Sequence, residues 1–306
     1  MLLSPAEVEH RGLQACHVQN IGRMKHAGRV ACFKAHYGSS PVVLSRIWDD
    51  FQTVDIQKAK LKDSEMNEAS FKQYLISHHF LWAKPKNDYC IASHFGVNRD
   101  ECRGKLIWKW ISKMAALKDH KIKWDVIEEQ EEEDCITYTV DCVDFLCWEK
   151  KHPKFNLDKK MYSKKFAHAA FRCMVCISVH ESKVLFVKGP LKPSTHDLTI
   201  ARMPGSLMEL VHQKRGNVGC GDRAMNTGKA NEQGMFSTPN EGDPETLKKY
   251  KTRMRMRQET FFGRMKKYRI CTEAFQYSRQ RHRLVIYAIC VILQYQMENG
   301  SPLYSV

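Results

Sequence analysis

The sequence predicts an α/β domain in its C-terminal half and a mainly α-helical region before it. Three observations support this division. Apolar residues recur at helical spacing through much of the first 118 residues, and the spacing changes to a period of two directly after an acidic run, EEQEEED at 128–134. The formal net charge of +15 also lies almost wholly in the second half. We therefore predict a helical region, 1–134, that ends in an acidic linker, and an α/β domain, 135–306.

The composition excludes several classes of protein. The chain of 306 residues is 43% hydrophobic and 10% aromatic, which is typical of a globular protein and not of a disordered one. The longest apolar run, LVIYAICVIL at 284–293, covers about half of a bilayer span, so it predicts a buried helix and no membrane partner. The N-terminus becomes charged too early for a secretory signal, so we do not expect secretion. The cysteines follow no tight framework, and the two in CMVC at 173–176 are predicted to lie buried in a strand.

The distribution of charge indicates the kind of partner. Residues 1–134 carry 20 basic and 19 acidic residues, whereas 135–306 carry 29 and 15. An excess confined to one half is typical of a surface that docks a polyanion, most commonly nucleic acid. Within 248–269 there are ten basic residues and a single acid, Glu259. That carboxylate is either a solvated ion-pair partner or a ligand of a metal ion.

A possible helix-turn-helix lies at 88–114 in the helical region. Ala92 stands four residues before Gly96, a combination that lets two helices approach closely at a sharp turn. The basic and polar residues that would lie on or near the groove-reading helix are Asn98, Arg99, Arg103, Lys105 and Lys109. The same pattern fits two packed helices joined by a glycine turn, and this alternative stays open. We expect the core to hold Trp108, Trp110 and Trp124.

The elements of the second half follow the order strand, strand, strand, helix, strand, loop, helix. Alternating or continuous apolar patterns give the predicted strands 135–145, 172–179, 183–189 and 217–222, and short helical pieces fall in 195–213. The second and third strands form a hairpin through a short turn at 180–182. Asp243 and Pro244 are predicted to start the basic helix. This is the element order of a ribonuclease-H-like α/β core.

Three carboxylates fall where such a core brings its elements together. The first and fourth strands lie side by side in this fold, so Asp141 and Asp222 would meet, and the later helix would bring Glu259 to them. Carboxylates that converge in a basic surround can hold Mg²⁺ or Mn²⁺, most often as a pair of ions. We therefore predict that these three residues are both the metal ligands and the catalytic residues.

Each of these residues has an alternative interpretation. Asp222 would also fit a turn after a glycine-rich edge strand. Asp144 competes with Asp141 for the first position, but it faces the other way on a strand and is expected to cap the turn that follows. Asp197, in STHDLTIAR, is expected to be a helix N-cap. The residues expected to contact the DNA backbone from the basic helix are Arg253, Arg255, Arg257 and Lys266. For Lys266, a solvated lysine is an equal alternative.

The segment STPNEGDPETLKKYKTRMRMRQETFFGRMKKYRI, continued by VIYAICVILQYQMENGSPL, resembles the C-terminal part of DDE superfamily endonucleases, transposase-derived proteins related to the Harbinger group. The family's last acid precedes an aromatic residue, a glycine and a Leu/Met-Lys pair. The matching residues here are Glu259, Phe262, Gly263, Met265 and Lys266. VDCVDF and GDRAM resemble the segments of the first two acids, which places these on Asp141 and Asp222. Asp197 resembles a further acid that the family often shows.

The resemblance implies a metal-dependent endonuclease or transposase that cuts and joins DNA at transposon ends, or at sites derived from them. It also implies a nuclear location; apart from the resemblance, the cysteine pattern predicts a reducing compartment such as the cytoplasm. A homodimer and a separate DNA-binding partner protein are compatible with it. The chain departs from the family pattern at five positions, Cys142, Gly219, Gly221, Ala224 and Met225. Two alternatives therefore stay open, a catalytically decayed DNA-binding protein of transposase origin and a basic interaction protein without catalysis.

Overall fold

The computed structural model describes residues 2–102, 104–124, 136–148, 159–213, 218–222, 225–226 and 235–306. The acidic linker predicted at 128–134, and with it the boundary at 134/135, lies outside the described residues, as does Arg103. The chain forms two compact units. The helical unit consists of Met1–Lys121, Met265–Glu273 and Tyr277–Ser301, and the sheet unit consists of Ile122–Arg264, Ala274–Gln276 and Pro302–Val306.

The elements follow one another along the chain in this order. The first helices are α1 (Pro5–Ala15), α2 (His26–Tyr37), α3 (Pro41–Thr53), α4 (Glu68–Ala83), α5 (Asp88–Phe95), α6 (Gly104–Ala116) and α7 (Lys118–Lys121). The strands and helices that follow are β1 (Ile136–Leu146), β2 (Tyr162–Ser163), β3 (His168–Ser178), β4 (Val184–Leu191), α8 (Asp197–Ala201), α9 (Leu207–Gln213), β5 (Val218–Cys220), β6 (Phe236–Ser237), α10 (Glu245–Lys266), α11 (Arg269–Thr272) and α12 (Arg279–Glu298).

Aromatic packing holds the helical unit together. The rings of Trp48 and Trp110 stack with their centroids 5.5 Å apart, and Tyr74 packs against both. All three side chains are fully buried, so their burial contributes roughly 2–3 kcal/mol each to stability. The apolar run at 284–293 lies in α12 and is largely buried, as predicted. No helix among the described residues is long and apolar enough to cross a membrane.

The helix-turn-helix prediction is only partly confirmed. Gly96 ends α5 in the left-handed conformation (φ 55°), as a sharp turn requires, but a 3-10 helix then intervenes before α6. Asn98 and Arg99 therefore precede the second helix. That helix packs against both α4 and α12 and buries Trp108 and Trp110. Lys105 and Lys109 of α6 are nevertheless exposed, so contact of this helix with a DNA groove stays a prediction.

The sheet unit contains one mixed sheet with the strand order β4-β3-β1-β5-β6, and β2 pairs with the start of β3. The predicted hairpin is confirmed, since β3 and β4 pair antiparallel. β1 is antiparallel to β3 and parallel to β5, and β5 is parallel to β6. The first and fourth predicted strands, which correspond to β1 and β5, therefore lie side by side as expected.

Both faces of β1 are covered, which its alternating pattern did not indicate. Tyr138 and Val140 pack in one apolar cluster with residues of α8 and α9. The other face carries Thr137 and Thr139, which are also buried. On that face, Thr139 lines one pocket together with Gln258 of α10. The strand is thus enclosed by helices of the sheet unit on both sides.

The cysteines behave as predicted. Every cysteine in the described part of the chain is a free thiol. Cys173 and Cys176, the two cysteines of CMVC, lie on β3 and are fully buried.

Trp124 is half-buried, with its ring centroid 5.1 Å from that of Tyr138.

Candidate functional site

The site begins with the register of the two central parallel strands. Thr139 of β1 is the partner of Cys220 of β5, the last pair between these strands. Asp141 follows Thr139 by two residues, and Asp222 follows Cys220 by two residues. Because parallel strands advance together, the two aspartates lie at the same edge of the sheet. The strand pairing thus brings together two carboxylates that lie 81 positions apart in the sequence.

A pocket of about 230 Å³ opens at this edge. The residues that line it are Thr139, Val140, Asp141, Gly221, Asp222, Thr252, Arg255, Met256, Gln258 and Glu259. All three predicted carboxylates thus line one cavity. Asp141 and Asp222 are partly buried, while Glu259 approaches from the exposed side of α10.

Asp197 belongs to this site, although the sequence interpretation assigned it to a helix cap. Carboxylate oxygens of Asp141, Asp197 and Asp222 lie within 4.8 Å of one another. The N-cap prediction is wrong, because Asp197 is the first residue of α8 and the N-cap is His196, whose side chain makes no capping bond. The signal that could have identified Asp197 was its resemblance to the family's further acid.

Arg172 fixes the orientation of Asp197. Arg172 Nη1 donates to Asp197 Oδ1 at 3.0 Å, and the thiol of Cys142 also bonds the Asp197 carboxylate. On its other side, Arg172 Nε donates to Asp144 Oδ1 at 2.8 Å. The arginine therefore bridges two carboxylates and holds one of them at the edge of the site.

Asp144 supports this arrangement from inside the sheet, and its predicted role as a turn cap is wrong. β1 continues past it to Leu146, and Asp144 lies directly opposite Arg172 on β3. Its side chain is buried and accepts a further hydrogen bond of 2.6 Å from Ser163 Oγ. Asp144 is thus a cross-strand partner of Arg172.

Asp141 has a strongly perturbed pKa. Burial is the main cause that raises this pKa to about 7, and the charges of Asp222, Asp197 and Glu259 act in the same direction. The backbone N–H of Cys142 donates to Asp141 Oδ1 at 2.7 Å and opposes the rise. Like charges that are held together disfavour ionisation, and a bound cation would relieve this repulsion.

Two departures from the family pattern are accommodated by local packing. A Cβ at Gly219 would collide with the ring of Tyr138, and a Cβ at Gly221 would collide with Met225. The glycines therefore allow close packing beneath the site. β5 forms in spite of them, and Asp222 reaches the cluster.

Gln258 provides an independent test of whether the site suits a cation. Its side chain is buried, and Nε2 donates to the backbone oxygen of Val175 at 3.2 Å, directly across the sheet from Asp141. Because a carbonyl accepts only, the amide nitrogen must face Val175, and this fixes the position of Oε1. That oxygen has no hydrogen-bond partner in the described part of the chain. An oxygen-only donor set with one unsatisfied buried oxygen fits a hard divalent cation or its bound water.

The basic residues predicted on α10 occupy different environments. Arg255 is exposed and lines the pocket. Arg253 is exposed and donates to the backbone oxygen of Ser305 at 2.9 Å, and Lys266 is partly exposed in the last turn of the helix. The prediction that Arg257 contacts DNA is wrong. Its side chain is 1% exposed and donates to three backbone carbonyls, those of Ser178, Glu181 and Tyr304.

The basic residues predicted in the helical unit are engaged locally. The guanidinium of Arg99 lies 4.6 Å from the ring centroid of Tyr89. Lys109 Nζ lies 2.6 Å from Glu65 Oε1. Both side chains are exposed, and their contact with DNA stays a prediction.

The carboxylates at the end of two parallel strands, beside a basic helix, define a candidate centre for divalent cations. Residues 140–294, just over half of the chain, match the family model of the DDE superfamily endonuclease. The chain therefore belongs to this family, as the resemblance indicated. No curated protein and no solved structure matches the chain significantly.

Proposed function

We propose that the protein is a metal-dependent DNA endonuclease of the transposase type, and that its sheet unit is a ribonuclease-H-like domain. The observation that carries the proposal is the convergence of Asp141, Asp222 and Glu259 on one pocket. The strand order supports it, with three antiparallel strands followed by two parallel ones. Family membership supports the reaction class.

Asp141, Asp222 and Glu259 are the proposed ligands of Mg²⁺ or Mn²⁺, in one or two sites. Asp197 lies close enough to the first two to share an ion or to bind its water. When bound, such ions activate a water or a 3′-hydroxyl and stabilise the leaving oxygen of a phosphodiester. Arg172 holds the Asp197 carboxylate in place, which maintains the shape of the donor set.

The approach for DNA is proposed along the exposed side of α10. A second pocket of about 320 Å³, lined by Lys248 among others, shares Thr252 and Arg255 with the carboxylate pocket. DNA phosphates that contact the basic side chains of Lys248 and Arg255 would direct the DNA strand towards the carboxylates. We further propose transposon ends or derived sites as the substrate and a nuclear location. A homodimer and a separate DNA-binding partner stay predictions.

The test is a titration of the metal-free chain with Mn²⁺, read by calorimetry, together with nicking of supercoiled plasmid. Asp222→Asn should abolish the saturable binding and the nicking. Glu245→Gln, which removes an exposed carboxylate from the first turn of the same basic helix that carries Glu259, is the matched control and should behave as the wild type.

Two outcomes would overturn the proposed activity. Metal binding that is equal in wild type and Asp222→Asn would mean that the carboxylates do not form a site. Salt-sensitive DNA binding without Mn²⁺ and without nicks would favour the alternative, a catalytically decayed DNA-binding protein.

A further inference from the structure

A second group of metal-ligating side chains lies in the helical unit. Cys16 follows the last residue of α1, and His36 and His94 lie in the last turns of α2 and α5. The thiol sulfur and one ring nitrogen from each histidine lie within 4.8 Å of one another. The ends of α1, α2 and the more distant α5 thus lie close together.

His94 supplies an observation that points to a ligand. Its Nε2 atom is buried and has no hydrogen-bond partner among the residues that the structure describes. Buried polar atoms are almost always paired, so an unpaired nitrogen on a ring that reaches a thiol and a second imidazole requires an explanation.

The surrounding rings hold His94 in place. Its ring stacks on that of His79, with centroids 4.4 Å apart and planes inclined by 14°, and its centroid lies 5.2 Å from that of His36. His79 Nδ1 donates to the backbone oxygen of His36 at 2.9 Å, which fixes the stacked ring in turn. The nitrogens are therefore oriented before any ligand binds.

The surroundings of the two histidines lower their pKa values. Burial lowers the pKa of His36, and His94 lowers it further. Burial likewise lowers the pKa of His94, with a smaller contribution from His17. Burial thus favours the neutral imidazole, which offers the lone pair that a metal ion needs.

We propose that Cys16, His36 and His94 form a Zn²⁺ site that is separate from the carboxylate centre. One sulfur and two imidazole nitrogens match the preference of zinc, whereas Mg²⁺ and Mn²⁺ prefer oxygen. We assign the fourth position of the zinc tetrahedron to a water molecule. The ring of His17 lies against Gly96, which follows His94 by two residues, so His17 is near the proposed site.

The geometry requires a small closure and the loss of one proton. Zinc bonds of roughly 2.0–2.3 Å in a tetrahedron place ligand atoms roughly 3.3–3.7 Å apart, so the distances between the three groups must shorten by up to about 1.5 Å. Cys16 Sγ lies 3.1 Å from the hydroxyl of Tyr37, which itself donates to the backbone oxygen of Gly12. On binding, the S–H bond breaks, an Sγ–Zn bond forms and the thiol proton passes to the solvent.

The experiment uses the full chain, stripped of metal, and two probes. Co²⁺ reports a thiolate ligand through its charge-transfer absorption, and Zn²⁺ competes for the same site and is counted by mass spectrometry. We expect one equivalent of Zn²⁺ that survives in Asp141→Asn, and a cobalt–thiolate band that Zn²⁺ displaces. Cys16→Ser and His94→Gln should weaken binding at least about tenfold. Cys32→Ser, which removes another partly buried thiol of the same unit, is the matched control.

Absence of the cobalt–thiolate band in the wild type would overturn the proposal, and this result does not depend on whether any variant folds. Zinc binding that disappears in Asp141→Asn but persists in Cys16→Ser would assign the ion to the carboxylate centre instead. Failure of the plasmid assay has no bearing on this site, because the proposed Zn²⁺ site does not use the nuclease residues.

Discussion

The carboxylate centre of the sheet unit and the Cys16/His36/His94 cluster of the helical unit differ in the charge that they gather. The first holds like charges in a partly buried pocket, and the pKa of Asp141 rises to about 7. The second holds neutral groups, whose histidine pKa values are lowered by burial. A cation therefore relieves repulsion in the first cluster, while in the second it replaces a proton. Closeness of ligands alone therefore does not define a metal site. The donor atoms decide which ion fits, and the charge of the ligands decides whether the ion relieves repulsion or replaces a proton.

The largest expected effect is on the free energy of unfolding, and it concerns Arg172, the side chain that holds Asp197 at the carboxylate centre. Arg172→Ala leaves Asp144 buried without its charge partner, and we expect a loss of about 3–5 kcal/mol in the free energy of unfolding. The measurement is urea denaturation at pH 7. The control is Lys183→Ala, whose ammonium lies 3.7 Å from the Glu181 carboxylate in a partly exposed pair and should cost at most about 1 kcal/mol. Equal losses in the two variants would contradict a buried role for Arg172.

The next largest effect is on nuclease activity, which should depend on the carboxylate centre and not on the Cys16/His36/His94 cluster. Glu259→Gln is expected to reduce plasmid nicking at least about 100-fold, because a misplaced or missing ligand disrupts the reacting geometry. Cys16→Ser should retain nicking within about threefold if the zinc cluster serves only the helical unit. Nicking by Glu259→Gln at the wild-type rate would remove this carboxylate from the proposed centre.

The pH dependence of stability sharpens the contrast in charge. A carboxyl whose pKa is raised in the folded state binds more protons when folded, so the stability of the metal-free protein should fall as the pH rises from about 4 to about 7. Asp141→Asn removes this penalty, and we expect it to exceed the wild type by about 1–3 kcal/mol at pH 8, with a smaller difference at pH 5.

Denaturation of the metal-free protein at both pH values checks this prediction. Saturating Mn²⁺ should reverse the order at pH 8, because the wild type then gains binding energy that the variant lacks. A difference between the two proteins that does not change with pH would show that Asp141 ionises normally.

The smallest expected effect is on DNA affinity, and it concerns Arg255, the basic side chain that lines the carboxylate pocket. Arg255→Ala should weaken DNA binding about two- to tenfold at low salt and reduce its dependence on salt concentration, since one phosphate contact is lost. Fluorescence anisotropy with a labelled duplex measures both. Arg257→Ala is not a suitable control because its side chain is buried; Arg269→Ala, an exposed arginine in the helical unit, serves instead. An equal loss of affinity in both variants would mean that DNA does not approach along α10.

Much of the carboxylate site could be predicted from the sequence. The residues that the prediction misplaced were misplaced for physical reasons. The change of hydrophobic period and the order of elements placed Asp141, Asp222 and Glu259 correctly on one pocket. Asp197 was missed because an aspartate at the start of a short helix also matches a cap. The buried state of Arg257 was foreseeable, since it shares a helical face with Met254 and Phe261, three residues before it and four after it.

The helical unit was less predictable. Cys16, His36 and His94 show no characteristic spacing, because each comes from the end of a different helix. Only the packing of those helices brings them together. The 3-10 helix between α5 and α6 was not foreseen for a related reason, since the pattern of one helix does not show how it is joined to its neighbours.

The bridge formed by Asp144, Arg172 and Asp197 also has an evolutionary consequence. A buried aspartate and its arginine partner cannot be lost one at a time without leaving an unpaired charge in the sheet. Chains descended from a common ancestor should therefore replace Asp144 and Arg172 together, whereas Asp197 can be retained only where an arginine or a substitute donor is present. Positions 144 and 172 should therefore vary together, even in lineages that have lost nuclease activity.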